Sequence, residues 1–374
     1  MAVAAQFEGR TEATAVPSHM QAAVYHGRND IRIETVPVPE ILPGEILVRV
    51  HACGICGTDL KKISTGSHSA PRVFGHETAG VVVKVGPAVA GFQTGDRVMV
   101  FHHIPCGNCF YCQRKVFAQC PVYKKVGATA GFEPSGGGFA EYVRVMDWIA
   151  QRGVVRIPDH VSFEQAAFVE PINTCMKGIE GLHLERGETV LVIGSGPIGI
   201  ILGVLAQRAG TRVISSDLYP ERLQVAKSFG ISEFINASTD DTVTRACALT
   251  EGRGADVVIV AVPGNSLVQT ALNAARPGGR IMLFAHTARS EAEIDPAAIC
   301  VDEKSLLGSY SASVDLQEES VRLVFSGEID FSRLISHRFP LPAAVEAIQL
   351  AANPRPDSMK VMIAPTNGWH GGAQ

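Results

Sequence analysis

The sequence predicts an α/β protein of about two domains. Three observations carry that expectation. An apolar run, a glycine-bearing turn and a second apolar run follow one another in "ETVLVIGSGPIGIILGVLAQRAG" (188–210). Strand and helix patterns then alternate as far as "GGRIMLFAHT" (278–287). With 374 residues, 46% of them hydrophobic and 19% charged, the chain can bury two substantial cores and has the composition of an ordinary folded protein.

Several function classes fall away at this level. The net charge is −4 with a pI near 6.3, and no basic block offers a footprint for nucleic acid. The opening "MAVAAQFEGRTEATAVPSH" carries glutamates and lacks the apolar core of a secretory signal. The most apolar stretch, 190–206, is interrupted by Ser195, Pro197 and four glycines and is short for a membrane span. A cytoplasmic location is expected, and in a reducing compartment clustered cysteines bind metal more often than they pair.

In chain order, "ILVRVHACGICGTDL" (46–60) alternates as a half-buried strand and breaks at Gly54 and Gly57. "VFGHETAGVVVKVG" (73–86) sets His76 and Glu77 just before a valine-rich strand. "CGNCFYCQRKVFAQC" (106–120) then holds Cys106, Cys109, Cys112 and Cys120. Three thiols spaced two residues apart curl around one ion and the fourth closes a tetrahedron, which suits a structural zinc with no open position. "AAFVEPINTCMKGI" (166–179) places Glu170 before a proline able to open a helix. A cysteine, a histidine and a carboxylate from three separate loops leave a fourth position for water or substrate, the catalytic pattern.

The glycine turn reads as G-x-G-x-x-G at Gly194, Gly196 and Gly199. Gly194 permits the turn, Gly196 lets a pyrophosphate approach the backbone, and Gly199 lets helix and strand pack closely. "TRVISSDLYPERL" (211–223) supplies a second strand ending in Asp217, eighteen positions after Gly199, where an acid can hold an adenosine ribose. "ADVVIVAVPG" (255–264) continues the alternation.

From about Met20 to Ile363 the chain resembles the zinc-containing medium-chain dehydrogenases, which include alcohol, sorbitol and other polyol dehydrogenases. The resemblance rests on "CGICGTDL", "GHETAG", "GDRV" (95–98), the four-cysteine lobe, "GGGFAEY" (136–142), "VEP" (169–171) and "IGSGPIG" with Asp217. It implies a GroES-like β-rich catalytic domain over 20–170 and 309–374, a Rossmann NAD-binding domain over 171–308, and a flexible extension over 1–19. It also implies two zinc ions per chain and a homo-oligomer, tetramer or dimer.

Placed on matching residues, the family's roles make Cys56, His76 and Glu170 the ligands of a catalytic zinc. Glu77 resembles a carboxylate that joins or leaves the metal, and a salt bridge at the base of the site is the other reading. Asp59 matches the partner that orients His76. Thr58 corresponds to the hydroxyl that accepts the alcohol proton, and Thr174 to a threonine against the nicotinamide, with Cys175 a packing residue. Where many relatives relay the proton through a histidine three positions after Thr58, this chain has Lys61 and then Lys62, either solvated or a lysine base. His51 is a further relay candidate, although its strand position suits a structural role.

The expected reaction passes hydride from a small-molecule secondary alcohol (a polyol, cyclitol or sugar-alcohol phosphate) to NAD and gives a ketone. Glu170, where the alcohol dehydrogenase branch often has cysteine, leans the resemblance toward the polyol branch. Simple alcohols and amino alcohols such as threonine stay open, as does an inactive structural or zinc-free reductase member of the fold. Asp217 favours NAD over NADP, and Arg222 either stacks near the adenine, lies along its helix, or swings onto a phosphate.

Overall fold

The computed structural model describes residues 15–132, 136–285 and 290–365. Most of the expected N-terminal extension (1–19) and the tail 367–374 lie outside the described residues.

The first half of the chain is antiparallel. An eight-stranded sheet is centred on the strand Ile46–Gly54, which pairs with Glu77–Val85, Tyr142–Val145 and Lys360–Ala364. Alternation in 46–54 predicts a half-buried strand, yet seven of its nine residues are buried. The reason is a second cover: the helix Phe163–Ala167 packs on the strand and stacks Phe163 against His51. That helix is fixed at its start by Ser162, whose hydroxyl accepts from the Gln165 backbone N–H while the Gln165 side chain accepts from the Ser162 N–H.

Beyond the helix Val169–Leu182 the sheet becomes parallel. Its six strands run in the spatial order Glu233–Asn236, Arg212–Asp217, Thr189–Ile193, Ala255–Val260, Ala275–Leu283, Ser305–Gly308. Numbered by sequence this is 3-2-1-4-5-6, the doubly wound order, and the reversal between first and fourth strands opens a crevice at their carboxyl ends. Thr189–Ile193 is buried at all five positions, as a central strand with helices on both faces must be. The expected fold class, α/β with a β-rich part and a Rossmann part, holds.

The chain then returns. Helix Gln317–Phe325 packs on helix Val169–Leu182, and the final strand Lys360–Ala364 sets Met362 opposite Gly54. One apolar core runs from the antiparallel sheet onto one face of the parallel sheet, a second fills the opposite face, and a small third belongs to the cysteine lobe. Among the described residues no helix is long and apolar enough to cross a membrane.

Candidate active site

The site begins where the strand Ile46–Gly54 gives way to the helix Gly57–Thr65. Cys56 caps that helix in an extended conformation, and Asp59, three residues on, accepts a hydrogen bond from the Cys56 backbone N–H at 3.2 Å. The second oxygen of the same carboxylate meets His76 Nδ1 at 3.1 Å. One buried aspartate therefore starts the helix that carries Cys56 and turns the His76 ring so that Nε2 faces Cys56. Burial opposes a charge on His76, but Asp59 and then Cys56 hold its pKa well above the usual range. Thr58 Oγ1 lies 3.3 Å from Cys56 Sγ and 3.4 Å from His76 Nε2.

Ligand atoms of Cys56, His76 and Glu77 lie within 4.8 Å of one another. Glu77 opposes Gly54 across the strand pair, and any side chain at 54 would collide with the Glu77 carboxylate. The glycine read as a strand break is thus also the space that Glu77 occupies. Glu77 is ion-paired to Lys360, which also donates to the Ile55 carbonyl at 3.0 Å. Lys360 comes from the first residue of the returning strand and was not among the expected site residues. A lone lysine opening an apolar strand in "SMKVMIA" was its only local signal.

Glu170 stands outside the tight trio. It is buried at the start of helix Val169–Leu182, with Oε1 4.0 Å from His102 Nδ1. Burial drives its pKa up to about 7 against the pull of His76, with Glu77 adding to the rise. His102, another residue the sequence reading passed over, packs against the His76 ring with centroids 4.7 Å apart. The tandem histidines in "FHHIPC", immediately before the lobe, were the available signal. Thr174 donates to the Glu170 carbonyl one helical turn back, and Cys175 is buried in the core, where burial raises its thiol pKa. His51 is stacked on Phe163 of the second cover, ring centroids 4.4 Å apart.

The four lobe cysteines also converge within 4.8 Å, and all four are unpaired. Cys120 Sγ accepts from the Cys106 backbone N–H at 3.3 Å, and Cys109 and Cys112 approach to 3.5 Å. Backbone N–H groups, that of Asn108 first, lower the Cys106 pKa to about 6, while burial and the neighbouring thiols push Cys112 up to about 12. Both clusters thus offer donor sets suited to zinc: four sulfurs in a closed group, and sulfur, nitrogen and oxygen in an open one.

At the switch point Gly194 takes φ +101°, a conformation that favours glycine, and its N–H donates to Ser216 O at 2.7 Å. A Cβ on Gly199 would fall 1.7 Å from the Gly194 carbonyl oxygen, whereas one on Gly196 would meet nothing within 4 Å. The third glycine is therefore required by packing, and the second faces open space at the start of helix Pro197–Arg208. Asp217 ends its strand with one oxygen taking the Ser195 N–H at 2.7 Å and the other the Tyr219 N–H at 2.9 Å. Arg222, expected toward the adenine, along its helix or onto a phosphate, is instead turned inward. It is buried over the Tyr219 ring, 4.0 Å from Asp217, and donates to the Ser358 carbonyl at 3.1 Å. Its guanidinium ties the cofactor half of the chain to the segment just before Lys360.

The sequence matches the alcohol dehydrogenase GroES-like domain over residues 42–159 and the zinc-binding dehydrogenase family over 197–326. It is 31% identical over 356 residues to a sorbitol dehydrogenase of Bacillus subtilis (strain 168), covering 94% of this chain and 98% of that protein. Among solved structures it is similar to a zinc-binding dehydrogenase of Sinorhizobium meliloti 1021 bound to NADP, with TM-score 0.82, 31% identity and coverage of 93% and 100% of the two chains. It is likewise similar to a structure from Escherichia coli CFT073 described as a short chain alcohol dehydrogenase and complexed with NADH, with TM-score 0.80, 28% identity and coverage of 93% and 100%.

Proposed function

Because the chain belongs to the zinc-binding dehydrogenases of the alcohol dehydrogenase family, we propose that it oxidises a secondary alcohol on a polyhydroxylated small molecule to a ketone with NAD. The observation that carries this reading is the convergence of the Cys56, His76 and Glu77 ligand atoms, with the Thr58 hydroxyl lying against Cys56 and His76. Cys56, His76 and a carboxylate, Glu77 or Glu170, would hold a catalytic zinc, and the lobe cysteines a second, structural one. A zinc at the first site would supply Lewis acidity that lowers the pKa of the alcohol. Asp59 holds the His76 ring by its far nitrogen, so that Nε2 stays free for the metal. Thr58 Oγ1 would accept the alcohol proton only while passing its own hydroxyl proton on through water to solvent, and a bound nicotinamide would supply the hydride acceptor that leaves the substrate as a ketone. Lys360 pairs with the Glu77 carboxylate at the floor of the site.

The division into 20–170 with 309–374 and 171–308 belongs to the same reading, supported by the antiparallel and parallel sheets that those segments build. NAD rather than NADP is supported by Asp217 at the end of the second parallel strand. A homo-oligomer is supported by the edge strand Ser305–Gly308, exposed at all four residues and offering unpaired backbone groups. A reducing compartment such as the cytoplasm suits nine unpaired cysteines.

The test is an NAD-coupled screen over polyols, cyclitols and their phosphates, with zinc counted on the same preparation. NADH production on at least one polyol, about two zincs per chain, and loss of activity to a chelator are the expected results. A zinc-free protein, or one inactive on every secondary alcohol, would overturn the reading.

A further inference from the structure

Two lysines that the catalytic group leaves unused stand at its edge. Helix Gly57–Thr65 carries Lys62 one turn beyond Thr58, with Nζ 5.6 Å from the centroid of the buried Phe74 ring. Lys124, just past the cysteine lobe, donates to the Tyr310 hydroxyl at 3.2 Å. Tyr310 itself is held in place: Lys177 donates to its carbonyl at 2.8 Å, and the hydroxyls of Tyr123 and Ser311 meet at 2.9 Å beside it. Among the described residues neither Lys62 nor Lys124 has a carboxylate partner. Both bear on one half-buried ring, that of His68, which lies edge-on to Phe74. Burial and then Lys62, Arg72, Lys61 and Lys124 hold its pKa down to about 4, so positive charge is concentrated there in a chain of net charge −4. The same two lysines act on His102, whose ring packs against His76.

The chemistry of these groups narrows what they meet. An ammonium donates and never accepts, and the Tyr310 hydroxyl, accepting from Lys124, keeps its own proton to give. Such a set presents donors and positive charge. A phosphoryl or carboxylate group, acceptor-only and negative, uses all of it, whereas a neutral hydroxyl brings a donor that finds no acceptor there. The cofactor makes no claim on these residues, because the glycine turn and Asp217 lie at the parallel sheet. We infer that Lys62, Lys124 and Tyr310 bind a terminal anionic group of the substrate, so that the enzyme acts on an acidic polyol, such as an alditol phosphate, in preference to a neutral one. The inference rests on the polyol reading above and narrows its substrate class. Lys62 stands about 6 Å along the helix from Thr58, a span that a short polyol chain covers between its reacting carbon and its end.

The experiment compares kcat/KM for each alditol of the screen with that for its terminal phosphates and for the matching aldonate, in wild type, Lys62→Gln, Lys62→Arg and Lys124→Gln. Zinc content and Tm are measured on each. Wild type should favour an anionic member over the neutral alditol of the same skeleton by about tenfold or more, chiefly through KM. That KM should rise with ionic strength while the KM of the neutral alditol stays in place. Whether the phosphate or the aldonate gains more tells which anion the lysines read. Lys62→Gln and Lys124→Gln should each lower the anionic to neutral ratio by about tenfold, and Lys62→Arg should retain most of it. A wild type that takes neutral alditols as efficiently as their phosphates and aldonates would overturn the inference and leave the polyol reading standing. A ratio within twofold of wild type in Lys124→Gln, an exposed position where folding is not at stake, would overturn it as well. A wild type that oxidises no alditol, charged or neutral, refutes the underlying polyol reading and the inference with it.

Discussion

Gly199→Ala and Gly196→Ala remove the same hydrogen in the same turn, yet only the first should lower stability. At 199 the added methyl would sit 1.7 Å from the Gly194 carbonyl oxygen. Carbon and oxygen approach to about 3.3 Å at closest, so helix Pro197–Arg208 must retreat by about 1.6 Å. Neither side yields easily: Gly194 is tied through its N–H to Ser216 O, and the helix is buried from Gly199 through Ala206. Overpacking against rigid backbone of this kind costs about 3 kcal/mol, which for domains of this size lowers Tm by roughly 6–12 °C. The same retreat misplaces the amides at the helix start, so NAD affinity should fall at least tenfold. At 196 the methyl meets nothing within 4 Å, and φ −69°, ψ −178° is open to alanine. Tm should therefore stay within about 1 °C of wild type, while NAD affinity falls about tenfold or more because the methyl takes the space of the pyrophosphate. Scanning calorimetry and calorimetric NAD titration on both variants decide the matter. A Gly199→Ala protein with wild-type Tm would refute the packing reasoning, and a Gly196→Ala protein with wild-type NAD affinity would remove the pyrophosphate from this turn.

Cys106→Ser should lower zinc from about two to about one per chain and reduce Tm more than turnover, since the lobe link contributes to folding; unchanged zinc content would contradict a structural site. The 2′-phosphate of NADP, close to doubly charged, would meet Asp217 at a cost of roughly 2–4 kcal/mol, or about 30- to 1000-fold in kcat/KM in favour of NAD. Asp217→Asn keeps an acceptor for only one of the Ser195 and Tyr219 N–H groups, at some cost in stability, and should narrow that gap; equal efficiency with both cofactors in wild type would refute the role. Burial, helped by Arg49 and Arg97, pushes the His51 pKa down to about 4, below its unfolded value of about 6.5. The unfolded chain then binds the extra proton between those values, so this residue removes stability as pH falls from about 6.5 toward 4. His51→Gln should flatten the decline of Tm across that window, and an unaltered acid slope would count against it.

What the sequence by itself determined is what lies close together along the chain. The four lobe cysteines span fifteen positions, and the glycine turn occupies six between two apolar runs, so spacing alone exposes both. The α/β class follows in the same way, because parallel strands buried on both faces must appear as continuous apolar segments. Cys56, Thr58 and Asp59 share one helix start, and their roles could be carried over from resemblance as a block. Only the tertiary structure decided what depends on distant strands meeting. Gly54 needs its missing side chain because register sets Glu77 against it, and Glu77 needs Lys360, which arrives on the last strand of the sheet. Arg222 turned inward because the Ser358 carbonyl awaited it from the returning segment. His102 became a site candidate only once the chain folded it against His76. Local spacing dictates turns, caps and compact ligand sets, because their geometry is complete within a few residues. Charge compensation and pocket walls are assembled across the fold, and no short stretch of sequence contains both halves of such a contact.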